Sequence, residues 1–150
     1  MNLAIQQALQ NGIEAHKAGR LQEAERFYRA ILQSQPLHPD ANHNLGLLAV
    51  SVNKADIAVP LFKIALEANP KTEQYWLSYI DALIRNRQFK HAKQVIDQGR
   101  ANHVAEEKLG ILEAHLASTT EVRKPELAEQ EKHSKKKQQK IKVSGPTRQQ

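Results

Sequence analysis

Apolar residues recur along the first hundred positions at the spacing of amphipathic α-helices. The segments ANHNLGLLAVSV (residues 41–52) and ADIAVPLFKIAL (residues 55–66) each place their apolar side chains on one stripe. Asn53 and Lys54 separate these two segments, and Gly19 and Arg20 mark the corresponding break earlier in the chain. No sustained stretch alternates polar and apolar residues as a strand does. The pattern therefore predicts an all-α fold of paired helices.

The helix pairs repeat with a period of 34 residues, in units 5–38, 39–72 and 73–106. Positions 8, 20, 24 and 32 hold Gly12, Ala24, Tyr28 and Pro36 in the first unit, and Gly46, Ala58, Phe62 and Pro70 in the second. The third unit keeps Ala92 and adds Trp76, a predicted packing residue, but lacks the glycine and the proline. Small residues at positions 8 and 20 predict close helix–helix approach, with the aromatic side chains filling the spaces between.

A last helix is predicted over VAEEKLGILEAHLAS, residues 104–118, where Leu109, Leu112 and Leu116 share one face. A single helical hairpin cannot bury its apolar face alone, so units stack and the final unit needs a cover. We interpret this segment as a capping helix, and residues 1–118 as one domain.

The repeat resembles the tetratricopeptide repeat, which carries a small residue at position 8, Ala at 20, an aromatic at 24, Ala or a similar residue at 27 and Pro at 32. The second unit matches all five, with Gly46, Ala58, Phe62, Ala65 and Pro70. The resemblance covers about residues 5–106. It implies a helical-hairpin solenoid of three units closed by the capping helix.

In that family the first helix of each repeat lines a concave groove for an extended peptide or a partner's helix. The resemblance thus implies a protein–protein interaction module, whose partner the sequence does not identify. Carried over by position, the groove residues are Gln6, Gln10, Ile13, Lys17, Asp40, His43, Asn44, Leu47, Ser51, Gln74, Leu77, Ser78, Asp81 and Arg85. The alternative for any of them is an ordinary solvated position on an amphipathic helix.

Asn44 occupies position 6 of its unit, where enzymes of the O-linked N-acetylglucosamine transferase type carry a ladder of asparagines for peptide backbone. Here Gln10 and Ser78 stand at the matching positions, so the ladder is broken. The clamp of co-chaperone tetratricopeptide domains matches Leu9, Ile13, Asn44, Gln74 and Ser78, of which only Asn44 fits. Without Lys or Arg there is no charge-assisted grip on a carboxylate. Heat-shock-protein C-terminal tails are therefore not expected partners.

The chemistry of enzymes finds no support in the composition. The chain has no cysteine, which excludes disulfides, thiolate metal sites and a Cys nucleophile, and its seven histidines show no ligand spacing. Phosphate-cradling glycine loops and Gly-x-Ser-x-Gly are absent. We therefore expect no enzyme, no cofactor and no metal. No apolar run approaches the ~20 residues that span a bilayer, and the N-terminus does not resemble a signal peptide, so a cytoplasmic location is expected.

The net charge of +6 is concentrated in residues 119–150, which hold nine Lys/Arg against four Glu and few apolar residues. Such a segment cannot bury enough surface to offset its ordering entropy, so a disordered basic tail or linker is predicted. An alternative function is electrostatic binding of nucleic acid or a membrane surface through KHSKKKQQKIK, residues 132–142. A third is self-association through the end of the solenoid.

Two further expectations concern the chain as a whole and one helix. The closing SGPTRQQ, residues 144–150, has a turn signal followed by helix-forming residues. With the repeats and charged linker, it resembles the N-terminal block of larger bacterial repeat proteins that end in a glycosyltransferase or sulfotransferase domain, and we expect the chain to be such a block. Pro60 lies inside a predicted helix, so we expect either a bend or a late helix start there.

Overall fold

The computed structural model describes residues 2–120, which belong to two compact units. The first unit is Met1–Glu113. The second is Ala114–Gln150, of which residues 114–120 are described and helical. Residues 121–150 lie outside the described part, and so do the predictions made for the basic tail and for the end of the chain.

Helices account for nearly all of the first unit, and residues 2–120 contain no strand. Each helix contacts its neighbours in sequence, so that α1 packs on α2, α3 on α4 and α5 on α6, with α2–α3 and α4–α5 joining the pairs. The all-α solenoid prediction is confirmed. The helices are α1 (Leu3–Lys17), α2 (Leu21–Ser34), α3 (Pro39–Ser51), α4 (Ala55–Ala68), α5 (Glu73–Arg85), α6 (Phe89–Ala101) and α7 (residues 106–113).

The three hairpins turn through one backbone motif. A residue with positive φ follows α1, α3 and α5, and these residues are Gly19 (79°), Asn53 (61°) and Arg87 (60°), again 34 apart. In the second hairpin the N–H groups of Asn53 and Lys54 donate to carbonyls in the last turn of α3, at 3.0 and 2.8 Å. This is the Schellman arrangement, in which the left-handed residue is most often glycine. Only the first hairpin has the glycine, so Arg87 holds a conformation that costs a side-chain-bearing residue energy.

The small residue at position 8 is required by the aromatic ring at position 24. A Cβ atom added to Gly12 would lie 2.5 Å from the ring of Tyr28, and one added to Gly46 would lie 2.5 Å from the ring of Phe62. Both rings are buried. The glycines therefore let the two helices of a hairpin approach until the ring lies against bare backbone, as the spacing predicts.

The third hairpin achieves the same burial with different side chains. Ile80 and Ile96 stand at positions 8 and 24, and both are fully buried. Gly99 lies instead near Trp76, where an added Cβ would meet the indole at 3.5 Å, an ordinary contact distance. Two aliphatic side chains thus replace the glycine–aromatic pair, which explains why this unit departs from the pattern and still packs.

The side chain at position 4 holds the proline that ends the preceding unit. Asn42 donates from Nδ2 to the carbonyl of Pro36 at 3.0 Å. Thirty-four residues later Trp76 donates from Nε1 to the carbonyl of Pro70 at 2.8 Å. Trp76 is therefore more than the packing residue that the sequence predicts, since it also fixes the entry into α5.

Pro60 is accommodated within a helix of ordinary length. Because α4 begins at Ala55, the prediction of a late helix start is wrong. The carbonyl of Lys54 accepts the N–H of Ala58 at 3.1 Å, which closes the first turn before the proline is reached. Pro60 has no N–H for the carbonyl of Asp56, and that residue is exposed in the first turn, where water reaches it. A bend in the helix stays a prediction.

Candidate protein-binding groove

A groove of about 340 Å³ runs along α3, α5 and α7. Half of its lining side chains are apolar and half are polar or charged. Ile111 is the most open of the apolar ones, with 67% of its surface exposed. The groove is lined by Leu47, Gln74, Leu77, Ser78, Asp81, Lys108, Ile111 and Leu112.

The structure brings five of the fourteen sequence-predicted positions into this groove, namely Leu47, Gln74, Leu77, Ser78 and Asp81. Nine other predicted positions are not among its lining residues. The four on α1 belong to the first hairpin, Ser51 donates to the carbonyl of Leu48, and Arg85 pairs with Asp81. These nine are Gln6, Gln10, Ile13, Lys17, Asp40, His43, Asn44, Ser51 and Arg85.

His43 is committed to the contact between α3 and α5. Its side chain is buried, and its ring lies 5.4 Å from the ring of Phe62 and 4.8 Å from that of Tyr75, measured between centroids. Its Nε2 shares a hydrogen bond of 2.8 Å with Ser78 Oγ, which also accepts the Nε2 of Gln74 at 3.1 Å. The hydroxyl of Ser78 is therefore occupied within the protein and is a poor partner for a peptide amide.

Titration of this contact follows from its burial. Burial lowers the pKa of His43, and the nearby carboxylate of Asp40 opposes that shift. Tyr75 donates its hydroxyl to Asp40 Oδ1, and burial together with that hydrogen bond raises the pKa of Tyr75. A neutral imidazole and a neutral phenol therefore hold α3 to α5 at neutral pH.

Asn44 is the open member of the position-6 row. Gln10 donates to the carboxylate of Glu14 at 3.2 Å, and Ser78 is bonded as described above. Asn44 is half-buried, and its side-chain amide has no hydrogen-bond partner anywhere in residues 2–120. An amide that can both donate and accept is thus left available beside Leu47 on α3.

Comparison with known proteins gives a clear answer on fold. No protein-family model and no curated protein matches the chain. Among solved structures, the Sgt2 TPR domain from Aspergillus fumigatus is similar with a TM-score of 0.68, at 18% identity over 86% of this chain and 83% of that one. The TPR2B domain of yeast Sti1, solved as a complex with pHsp70, gives 0.70 at 14% identity, over 78% of this chain and 98% of that one.

A third similar structure is the O-GlcNAc transferase of Thermobaculum terrenum, with a TM-score of 0.62 at 22% identity. The match covers 71% of this chain and 20% of that enzyme. The chain has the tetratricopeptide-repeat (TPR) fold. TPR folds generally mediate protein–protein interactions, peptide binding included, and the similar structures are mostly interaction domains of this kind.

In TPR terms, α7 takes the place of a further first helix. Lys108, Ile111 and Leu112 each lie 34 residues after a residue of α5 that also lines the groove. The interpretation of this segment as a cap alone therefore missed three lining residues. The signal was available, because the same period that defines the units places these side chains on the groove face.

Both charged side chains of the groove are already paired. Lys108 donates to Glu73 Oε2 at 2.8 Å, and Arg85 donates to Asp81 Oδ2 at 2.8 Å. The hydrogen bond from Lys108, and then the one from the Ala105 N–H, lower the pKa of Glu73. Glu73 thereby ties the start of α5 to the start of α7.

Two kinds of site were searched for and not found in the described part of the chain. Within residues 2–120, no group of three or more His, Asp or Glu side chains could hold a metal ion. No helix there combines the length and the apolar character needed to cross a membrane.

Proposed function

We propose that this TPR domain is a non-catalytic interaction module that binds an extended peptide or a partner's helix in the groove between α3, α5 and α7. The observation that supports this most is the lining itself, in which Leu47, Leu77, Ile111 and Leu112 lie among polar side chains. In this proposal the module serves as the scaffold of a larger protein.

The groove recognises its partner by shape and backbone hydrogen bonding more than by charge. Apolar side chains of the partner leave water against the leucines and Ile111, at about 25 cal/mol per Å² of surface buried. The amide of Asn44 bonds the partner's backbone. Asp81 and Lys108 have partners within the protein, so the groove offers a ligand no unpaired charge from its lining.

The same reasoning argues against C-terminal tails of heat-shock proteins as partners. A terminal carboxylate needs a cationic donor, and positions 9, 13, 44, 74 and 78 carry none. Lys108 is the cation of the groove lining and is held by Glu73.

The test begins with peptides selected from a random display library on the full chain. The peptides are titrated against Ile111→Ser and against the matched control Leu37→Ser, which removes a leucine that is 69% exposed and lies outside the groove. Loss of one buried aliphatic contact is worth about 1.5–3 kcal/mol, so Ile111→Ser should weaken binding roughly tenfold or more. Equal weakening by Leu37→Ser would contradict the proposal.

Asn44→Ala tests the polar part of the groove. Loss of one neutral hydrogen bond costs about 0.5–1.5 kcal/mol, which corresponds to roughly 2- to 15-fold weaker binding. Circular dichroism should be unchanged, because the Asn44 amide bonds nothing within residues 2–120. If Asn44→Ala binds the selected peptides as tightly as the wild type, the partner does not use this amide.

A further inference from the structure

A second and larger cleft, of about 770 Å³, opens between α2 and α4. Its base is apolar and comes from α3, through Leu45, Leu48 and Ala49. It shares no lining residue with the groove described above. The two sites thus use different sides of α3.

The cleft is specific to the first junction between hairpins. At the next junction the positions of Leu45 and Ile57 are taken by Tyr79 and His91, 34 residues later. Those two rings meet edge to face with their centroids 5.8 Å apart, and Tyr79 is buried. Ile57 meets no such partner and is 44% exposed, and Val52 beside it is 42% exposed. Repeat geometry alone therefore does not explain the open cleft.

The rim of the cleft carries unpaired positive charge. Arg20 pairs with Glu23 at 2.8 Å and is thereby neutralised, and the same is true of Arg29 and Glu25. The two other cations of the rim are Arg26 and Lys54. Neither has an ion-pair partner within residues 2–120.

Charge also argues about the occupant. Residues 121–150 of this chain carry nine Lys/Arg against four Glu, the same sign as the rim, so they are repelled. An occupant that satisfies the site needs apolar side chains for the base and carboxylates for the two cations.

We propose that the cleft between α2 and α4 binds an acidic amphipathic segment of a partner protein. Its apolar side chains cover Val52 and Ile57, and its carboxylates pair with Arg26 and Lys54. The volume is within the range of about 300–1,000 Å³ that is typical of ligand clefts. This surface works independently of the groove.

The probe is a synthetic 14-residue peptide with Leu at helical spacing and Glu at the other positions, titrated into ¹⁵N-labelled full chain at about 50 mM salt. Low salt is chosen because screening weakens exposed ion pairs. We expect the amide signals of Val52 and Ile57 to shift while that of Ile111 stays in place. The same peptide with Lys for Glu should bind at least tenfold more weakly.

Two double variants separate the rim from general electrostatics. Arg26→Glu with Lys54→Glu should weaken binding of the Glu/Leu peptide about fivefold or more. Lys63→Glu with Lys93→Glu changes the net charge equally, outside the cleft, and should leave binding nearly unchanged. Ile57→Glu should abolish binding without unfolding the protein, since the side chain is exposed.

Several outcomes would overturn the proposal. One is that the shifts are confined to groove residues such as Ile111. Others are that the Lys/Leu peptide binds equally well, or that the two double variants weaken binding alike. Sedimentation provides the last test: if the chain dimerises without peptide and Ile57→Glu dissolves the dimer, a second copy occupies the cleft and no acidic partner is needed.

Discussion

Replacement of Gly46 by alanine tests the reason for the repeat pattern. The added Cβ would lie 2.5, 2.7 and 2.9 Å from Cε1, Cδ1 and Cζ of Phe62. Carbon atoms prefer about 3.5–4.0 Å, so the ring would have to retreat by about 1 Å. Phe62 is 1% exposed and lies against His43, which leaves it little room. Overpacking of this kind costs about 1–3 kcal/mol.

Gly110→Ala is the matched control, because Gly110 is also helical and an added Cβ there meets nothing within 4 Å. Alanine is favoured over glycine in a helix by about 0.8–1.0 kcal/mol at both sites. That gain cancels between the variants, so their free energies of unfolding should differ by the overpacking cost, about 1–3 kcal/mol, with Gly46→Ala the less stable.

The assay is urea unfolding of the full chain, followed by circular dichroism and by the fluorescence of Trp76. Repeating Gly46→Ala in a Phe62→Leu background should remove most of the penalty, because the smaller side chain makes room for the new methyl group. If Gly46→Ala is as stable as Gly110→Ala, the close approach of backbone and ring does not explain the glycine.

Three further predictions use the same equilibrium measurements. Arg87→Gly should raise the free energy of unfolding by up to about 1 kcal/mol, because left-handed strain of about 1–2 kcal/mol outweighs the extra chain entropy of glycine; a loss of stability in urea would contradict this. The lowered pKa of His43 means that the unfolded chain binds the proton more readily. Stability should therefore fall as pH drops below the ordinary value of 6.5, with a smaller slope in His43→Gln, and an unchanged slope would contradict the assignment. Trp76→Phe leaves the carbonyl of Pro70 without its donor and should cost about 1–3 kcal/mol in thermal unfolding, whereas no loss would show that packing alone matters there.

The fold could be predicted from the sequence because its determinants are local and periodic. Spacing of three and four residues defines each helix face, and the 34-residue recurrence of Gly46 and Phe62 positions identifies which helices meet. The groove face of α7 followed from the same period and was predictable in principle. It was missed because Leu109 and Leu112 were sufficient to suggest a cap.

The tertiary structure decided which side chains are free and which are occupied. Ser78 and Asn44 stand at the same position of successive repeats, yet Ser78 is bonded to His43, 35 residues away, and Asn44 bonds nothing in the described chain. The open cleft at Ile57 and its filled counterpart at His91 differ in the same way. A repeat pattern determines the face of the helix on which a residue lies. Whether that residue is available to a partner depends on the side chain that a neighbouring helix places against it, and only packing in three dimensions determines that.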